Sequence, residues 1–309
     1  IYVLSVLFMF LYNTATAAFN ALGDSRTPLY LLAFSSALNI GLDLAFVIRC
    51  AMGVTGVAWA TLIAQAAASV LALTILMRRL YAIKCKGRPR LFEAARLRHI
   101  CRIAVPSVVQ QSIVSMGFLF VQALVNRYGP AVIAGYTAAT KIDSIAIMPM
   151  LNVGNAVSSF TAQNIGAEKP ERVPQGYRAA NRMIVLISVL LCVLLELFRT
   201  PIIAMFLDAA PSPETVATGE HYLQFIGFFF CFIGFKMAVD GILRGAGDVK
   251  MFTIANLVNL AIRVLLSWLC APLWGVEIVW YAVPIGWLAN FVISFAHYRT
   301  GKWKEKRIA

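Results

Sequence analysis

The chain has 309 residues, of which 60% are hydrophobic and only 13% are charged, and its formal net charge is +13. A soluble globular domain is about half apolar and about a quarter charged, so this composition excludes an ordinary soluble protein. Many of the apolar residues lie in long runs, and about 20 such residues are what a helix needs to cross a bilayer. We therefore expect an all-α integral membrane protein.

Nine apolar runs are predicted to be membrane-spanning helices. In chain order they cover approximately residues 1–22, 28–48, 54–77, 103–126, 131–159, 183–207, 219–243, 251–272 and 276–297. The runs are too long for transmembrane β-strands and lack the alternation that such strands require. The first run begins at Ile1 with neither a methionine nor a basic segment before it, so we expect a truncated chain rather than a signal peptide.

The positive charge is concentrated in two segments. Eight lysines or arginines lie within residues 78–98, and five more lie within residues 299–307. Basic loops remain on the cytoplasmic side of a membrane, and the six runs between these two segments place both on one side. This arrangement predicts a cytoplasmic linker and a cytoplasmic C-terminus, and it gives no reason to expect a nucleic-acid partner.

Two segments of the sequence recur with the same spacing. A Gly-Asp pair at 23–24 returns at 247–248, and "GVTGVAWA" at 53–60 returns as "GVEIVWYA" at 275–282. Because the repeats cross the membrane in the same direction, they indicate two parallel lobes related by an axis along the membrane normal. The second copy has six runs and the first has three. The predicted intact architecture is therefore twelve spans in two six-helix lobes, of which nine are present.

This repeat divides the chain into four predicted segments. They are the second half of the N-terminal lobe (1–77), a basic inter-lobe linker (78–102), the C-terminal lobe (103–297) and a basic tail (298–309).

Polar residues inside the first three runs are candidates for an ion site. Asn39 and Asp43 are four positions apart, so they share one face of the second helix. Thr61 on the returning third helix should reach the same depth, and Asn13 of the first helix should approach it. Carboxylate, amide and hydroxyl oxygens suit sodium, and a desolvated carboxylate can carry a proton instead. A buried hydrogen-bonded network that only holds the helices together is the alternative.

Ionisable residues in the later runs have two interpretations, namely structural pairing or the lining of a cavity. Lys236 and Asp240 are four positions apart, which predicts a structural ion pair. Lys141 and Asp143 are two positions apart, so each needs its own partner, and Arg263 is a candidate partner for Asp143. The candidates for cavity lining are Gln110, Gln111, Lys141 and Asp143.

The sequence shows no pattern typical of an enzyme. The three histidines lie in loops or at the ends of runs, without the spacing of a metal-binding helix. The six cysteines are scattered and contain no CxxC pair. We therefore expect neither catalysis nor a bound cofactor.

Six motifs occur in order along nearly the whole chain. They are "ALGDSRTPLY" (21–30), "NIGLD" (39–43), "GVTGVAWAT" (53–61), "TAATKID" (137–143), "AQNIGAEKPER" (162–172) and "LRGAGD" (243–248). In this combination the chain resembles the multidrug and toxic compound extrusion (MATE) transporters, and in particular their DinF-like prokaryotic branch.

The resemblance implies a cation-coupled antiporter of the bacterial cytoplasmic (inner) membrane. Such a protein exports drug-like organic compounds in exchange for Na⁺ or H⁺ by alternating access, and we expect a monomer surrounded by membrane lipid. The coupling site of the DinF-like branch falls here on Asn13, Asn39, Asp43 and Thr61. The last three would be the metal ligands if the ion is sodium.

Two features of the resemblance bear on this assignment. The branch also uses an aspartate on a helix that is absent from this sequence. Another branch places its acids in the C-terminal lobe, on its seventh and tenth helices. Here the matching seventh helix carries Gln110 and Gln111, and the tenth carries Lys236 and Asp240 only near its cytoplasmic end, which favours coupling in the N-terminal lobe. The alternative function within the same superfamily is a flippase for lipid-linked oligosaccharides, which should have a cavity richer in lysine and arginine.

Overall fold

The computed structural model describes residues 1–82, 92–207 and 211–304, and within these ranges it is helical and contains no β-strand. Eight helices are long and apolar enough to cross a membrane, and a bent pair of shorter helices makes up to nine spans. The predicted all-α membrane architecture with nine spans is thereby confirmed. Parts of the predicted linker (83–91), of the connection between the sixth and seventh runs (208–210) and of the basic tail (305–309) lie outside the described residues.

The chain separates into two compact units, residues 1–92 and 93–309. The first unit contains three long helices, α1 (Tyr2–Ala21), α2 (Arg26–Leu44) and α3 (Gly53–Ala82), and α2 continues into a π-helical turn at Ala45–Arg49. Helix α3 packs against both α1 and α2, which have few contacts with each other. Its buried face consists mainly of alanine, and these small side chains let the neighbouring helices approach closely.

The second unit contains seven helices within its described residues. They are α4 (Ala94–Val125), α5 (Pro130–Gly166), α6 (Val173–Ala204), α7 (Pro213–Gly227), α8 (Phe230–Gly245), α9 (Val249–Trp274) and α10 (Ile278–Arg299). Helix α8 lies at the centre of this unit and packs against α5, α6 and α10. Because three helices surround it, most of its side chains are buried.

The seventh predicted span is not one straight helix. Helices α7 and α8 meet at a bend of 55°. The N–H of Phe229 donates to the carbonyl of Ile226, three residues earlier, at 2.9 Å, so the α-helical ladder is interrupted there. Gly227, with its low helix propensity, ends the first helix. The span predicted over 219–243 is therefore a broken one, and hydropathy did not indicate the break because apolar residues continue through it.

Helix α6 is kinked at Phe198, whose φ of −122° and ψ of 15° are not helical. Pro201, three residues later, has no N–H to donate to the carbonyl of Leu197, and its ring crowds that carbonyl. The kink therefore follows from the proline.

Helices α5 and α8 cross closely because small residues line their contact. A Cβ at Gly241 would collide with the carbonyl of Gly154, and one at Gly245 would collide with the carbonyl of Ser158. A Cβ at Gly154 would lie 2.7 Å from the carbonyl oxygen of Met237. Small residues four apart on α5 and on α8 thus fix the distance between two helices that line a cavity described below.

The two Gly-Asp corners have the same backbone geometry. Gly23 and Gly247 have φ values of +80° and +76°, in the region that favours glycine. In each corner the N–H of the next residue, Asp24 or Asp248, donates to the carbonyl five residues earlier, at 2.9 and 2.8 Å. This is the Schellman form of helix termination. The two Gly-Asp corners, which repeat in the sequence, thus also share one backbone conformation.

The Asp24 carboxylate stabilises the start of α2. It accepts hydrogen bonds from the Thr27 hydroxyl at 2.6 Å and from the Thr27 N–H at 3.1 Å, and it forms an ion pair with Arg79. These hydrogen bonds, with a smaller contribution from the Arg79 charge, hold the pKa of Asp24 below its ordinary value.

Candidate functional site

Two contacts fix the antiparallel register of α2 and α3. The Ser35 hydroxyl donates to the Ala64 carbonyl at 3.5 Å. Eleven residues further along the chain, in the π-helical turn that follows α2, the Cβ of Phe46 would lie 3.0 Å from a Cβ at Gly56. Interpolation between these contacts places position 39 level with positions 60–63 of α3.

Asn39 and Asp43 continue the face of α2 that Ser35 directs toward α3, because the three residues are spaced by four. The Asn39 Nδ2 and Asp43 Oδ1 atoms are buried and have no hydrogen-bond partner in the described part of the chain. A carboxylate oxygen shielded from water costs free energy unless a donor, a proton or a cation satisfies it. Asp43 Oδ1 is such an acceptor. For Asn39 the available ligand atom would be its carbonyl oxygen.

Thr61 lies on α3 at the level of Asn39. Its hydroxyl donates to the Val57 carbonyl of its own helix at 2.9 Å, which leaves its oxygen lone pairs for a further ligand. Asn13 is exposed on α1, a helix that packs chiefly on α3. By this register Asn39 and Thr61 lie at one level of α2 and α3, and Asp43 lies one turn further along α2. Within the described residues no hydrogen bond joins any two of the four, and their joint role stays a prediction.

The second unit contains a partly open cavity of about 640 Å³. Its walls come from α4, α5 and α7 to α10, and its volume lies in the range of about 300–1,000 Å³ that drug-sized ligands occupy. The charged residues of the wall are Asp143, Lys236, Asp240, Arg244 and Arg263. Gln110 and Gln111 also line it, as their position on α4 suggested.

Lys236 and Asp240 form the predicted ion pair, with 3.2 Å between Nζ and Oδ2. The pair is buried and belongs to a wider network. Lys236 also donates to Asn256 Oδ1 at 2.9 Å, and Asn256 Nδ2 donates to Asp240 Oδ2 at 3.3 Å. The Ser294 hydroxyl donates to the other Asp240 oxygen at 2.7 Å. These bonds satisfy both charges, which supports a structural role for the pair.

Asp143 is buried on the cavity wall. Its Oδ2 accepts from the Tyr222 hydroxyl at 3.2 Å, and its Oδ1 has no partner in the described structure. The suggested pair with Arg263 is wrong as an ion pair, because their charged atoms are more than 4.0 Å apart, although the charges still interact. Lys141 is exposed and absent from the cavity wall as described, since two residues turn a helix by about 200°.

Several residues of the cavity were missed by the sequence analysis. Asn256, Asn259 and Arg263 all line it from α9, and Arg244 lines it from α8. The three residues of α9 are spaced by three and four, so they form one polar face on an otherwise apolar helix. That pattern could have identified them as cavity residues. Tyr222 as the partner of Asp143 was not predictable, because the two lie 79 residues apart and meet only in the folded unit.

Comparisons with known proteins agree with this architecture. The MatE family profile matches residues 106–269, which is more than half of the chain. The probable multidrug resistance protein YpnP of Bacillus subtilis is 30% identical over 307 residues, covering 99% of this chain and 68% of that protein. YoeA of the same species, also a probable multidrug resistance protein, is 26% identical over 311 residues and covers 97% and 66%.

The fold also matches solved transporters. The crystal structure of a variant of the Vibrio cholerae MATE transporter VcmN has a TM-score of 0.87 at 18% identity, and the match covers 97% of this chain and 68% of that one. The chain thus spans about two thirds of the length of the proteins it matches. By the family profile and the 30% identity with YpnP, the chain belongs to the MatE family.

Proposed function

We propose that the chain forms part of a cation-coupled exporter of drug-like organic compounds that works by alternating access. Family membership and the names of YpnP and YoeA, both probable multidrug resistance proteins, support export of such compounds. Those names give no support to the flippase alternative. The basic segments at 78–98 and 299–307 favour a cytoplasmic linker and C-terminus in a bacterial inner membrane.

The observation that carries the coupling proposal is the unsatisfied Asp43 oxygen. This atom is buried, and the side chains of α2 and α3 are mostly apolar. An ionisable residue kept at membrane depth is costly, and such residues mark ion and proton pathways. Binding of Na⁺ or H⁺ would satisfy the oxygen in one state of the transport cycle, and its release would leave the carboxylate ready for the next cycle.

The cation would be held by few protein oxygens. Asp43 would supply charge, and the Asn39 carbonyl and Thr61 hydroxyl oxygens would complete the set if sodium is bound. For a proton, Asp43 alone is sufficient, and Asn39 would hold the carboxyl group in place. Asn13 is included only through the family resemblance, since it is exposed on α1.

The test is export by the full-length protein in vesicles under an imposed Na⁺ gradient or an imposed pH gradient. We expect Asp43→Asn to abolish gradient-driven export of a fluorescent organic compound while the protein remains folded in the membrane. Glu214→Gln removes a carboxylate from an exposed helix start and is the matched control. Undiminished export by Asp43→Asn would remove this residue from the coupling role.

A second pair of variants separates the two ions. Thr61→Val removes an oxygen ligand, whereas Thr74→Val removes an exposed hydroxyl that is bonded within the same helix. If sodium is the coupling ion, Thr61→Val should raise the Na⁺ concentration needed for half-maximal export and Thr74→Val should not. If the proton is the ion, both variants should export like the wild type under a pH gradient.

A further inference from the structure

Two arginines on the wall of the 640 Å³ cavity have no carboxylate partner within ion-pair distance in the described structure. The guanidinium of Arg263 lies over the ring of Phe118, 4.8 Å from its centroid, and makes no hydrogen bond to a described residue. Arg244 donates to Asn155 Oδ1 at 2.7 Å and to Ser158 Oγ at 3.4 Å, both neutral groups. A guanidinium with free donors is well suited to bind a carboxylate in a bidentate manner.

The remaining charges of the cavity do not cancel these arginines. Lys236 and Asp240 are 3.2 Å apart and neutralise each other. Asp143 interacts with Arg263 only beyond 4.0 Å, and one of its oxygens is held by Tyr222. With three cations and two carboxylates on the wall, the cavity carries a net charge of +1. An anionic group on a ligand would neutralise it.

The rest of the lining fits an aromatic body. Tyr136 and Tyr222 meet edge to face, with 5.8 Å between their ring centroids, and both line the cavity. Phe118 and Trp287 add two more aromatic side chains to the wall. Flat apolar walls with a few polar groups are the usual features of a small-molecule site.

We propose that this cavity binds an aromatic compound that bears a carboxylate, and that Arg263 binds the carboxylate. The proposal rests on the function proposed above, because it names a substrate class for the exporter. The proposed ligand is not an organic cation, because Arg263 would repel a positive charge. Asp143 opposes the anion, so the two residues should affect binding in opposite directions.

The experiment measures the binding of two fluorescent probes to the purified full chain in phosphatidylcholine nanodiscs. Fluorescein carries a free carboxylate, whereas rhodamine 6G has a similar ring system with an esterified carboxyl and a positive charge. We expect tighter binding of fluorescein. Arg263→Gln should weaken fluorescein binding by about 10- to 100-fold, the effect of losing a charged hydrogen bond. Asp143→Asn should strengthen it by about threefold or more, since it removes a nearby like charge.

Arg182→Gln is the matched control, because this arginine is exposed on α6 and lies off the described cavity wall. Equal fluorescein affinity in Arg263→Gln and Arg182→Gln would overturn the proposal, as would tighter binding of rhodamine 6G. If Arg263→Gln does not fold, Asp143→Asn decides alone, and unchanged or weaker binding rejects the proposal. The same measurement is repeated with the protein in nanodiscs that contain phosphatidylglycerol. Loss of fluorescein binding there would assign the site to lipid phosphate and would also contradict the proposal.

Export measured with the same preparations separates this inference from the proposed function. Gradient-driven export of rhodamine 6G without Arg263-dependent fluorescein binding would reject the inference and leave the exporter in place. Arg263-dependent fluorescein binding without gradient-driven export of either probe would support the site and reject the exporter.

Discussion

Asp248 and His297 meet at 2.7 Å between Oδ2 and Nε2, which joins the corner after α8 to the last turn of α10. Asp248 is completely buried. In the first unit the equivalent corner residue, Asp24, pairs with Arg79 near the end of α3, but 47% of the arginine side chain is exposed. The same corner is therefore held by a buried pair in one unit and by an exposed pair in the other.

This difference predicts unequal effects on stability. His297→Ala should lower the free energy of unfolding by about 1.5–3 kcal/mol, because a buried charged group loses a hydrogen bond. Arg79→Ala should have a much smaller effect, since water and salt screen an exposed pair. Thermal unfolding in detergent, followed by a thiol-reactive dye, measures both variants. A larger loss for Arg79→Ala would contradict this account of the corners.

The Lys236–Asp240 pair predicts strong coupling between two substitutions. Lys236→Met alone should destabilise the protein by about 3–5 kcal/mol, because it leaves a buried carboxylate with only neutral partners. The double variant Lys236→Met/Asp240→Asn should regain at least half of that loss. A double-mutant cycle in thermal unfolding measures the coupling. Additive effects would mean that the two charges act independently, against the structural role assigned to them.

The close crossing of α5 and α8 predicts opposite effects for two glycine substitutions. Gly241→Ala places a methyl group against the Gly154 carbonyl and should cost about 1–3 kcal/mol through forced displacement of the helices. Gly166→Ala, near the end of α5, meets no atom within 4 Å and should be neutral or stabilising by up to about 1 kcal/mol. Equal unfolding temperatures for the two variants would show that the helices are not held by this contact.

Much of the fold was predictable because hydropathy and charge act on long segments. The nine runs and the i, i+4 pair of Lys236 and Asp240 both depend on local spacing. The bend at Gly227–Phe230 was not predictable from hydropathy, since the residues on both sides are equally apolar. Its cause is a break in backbone hydrogen bonds that leaves the mean hydropathy unchanged.

The candidate sites were predictable only in part. The shared face of Asn39 and Asp43 follows from helical periodicity, and so does the position of Lys141 away from Asp143. The cavity depends on contacts between residues far apart in sequence, such as Tyr222 with Asp143. Arg263 was noted as a partner for Asp143, yet its position over Phe118 required the packing of α4 against α9.

Whether Asp43 binds the coupling ion is tested by comparing two transport modes of the Asp43→Asn variant in the same proteoliposomes. One mode is export driven by an ion gradient, and the other is exchange of labelled for unlabelled substrate without a gradient. If Asp43 binds the coupling ion, the gradient should no longer accelerate transport by the variant, while exchange should persist. An acceleration equal to that of the wild type would contradict the claim.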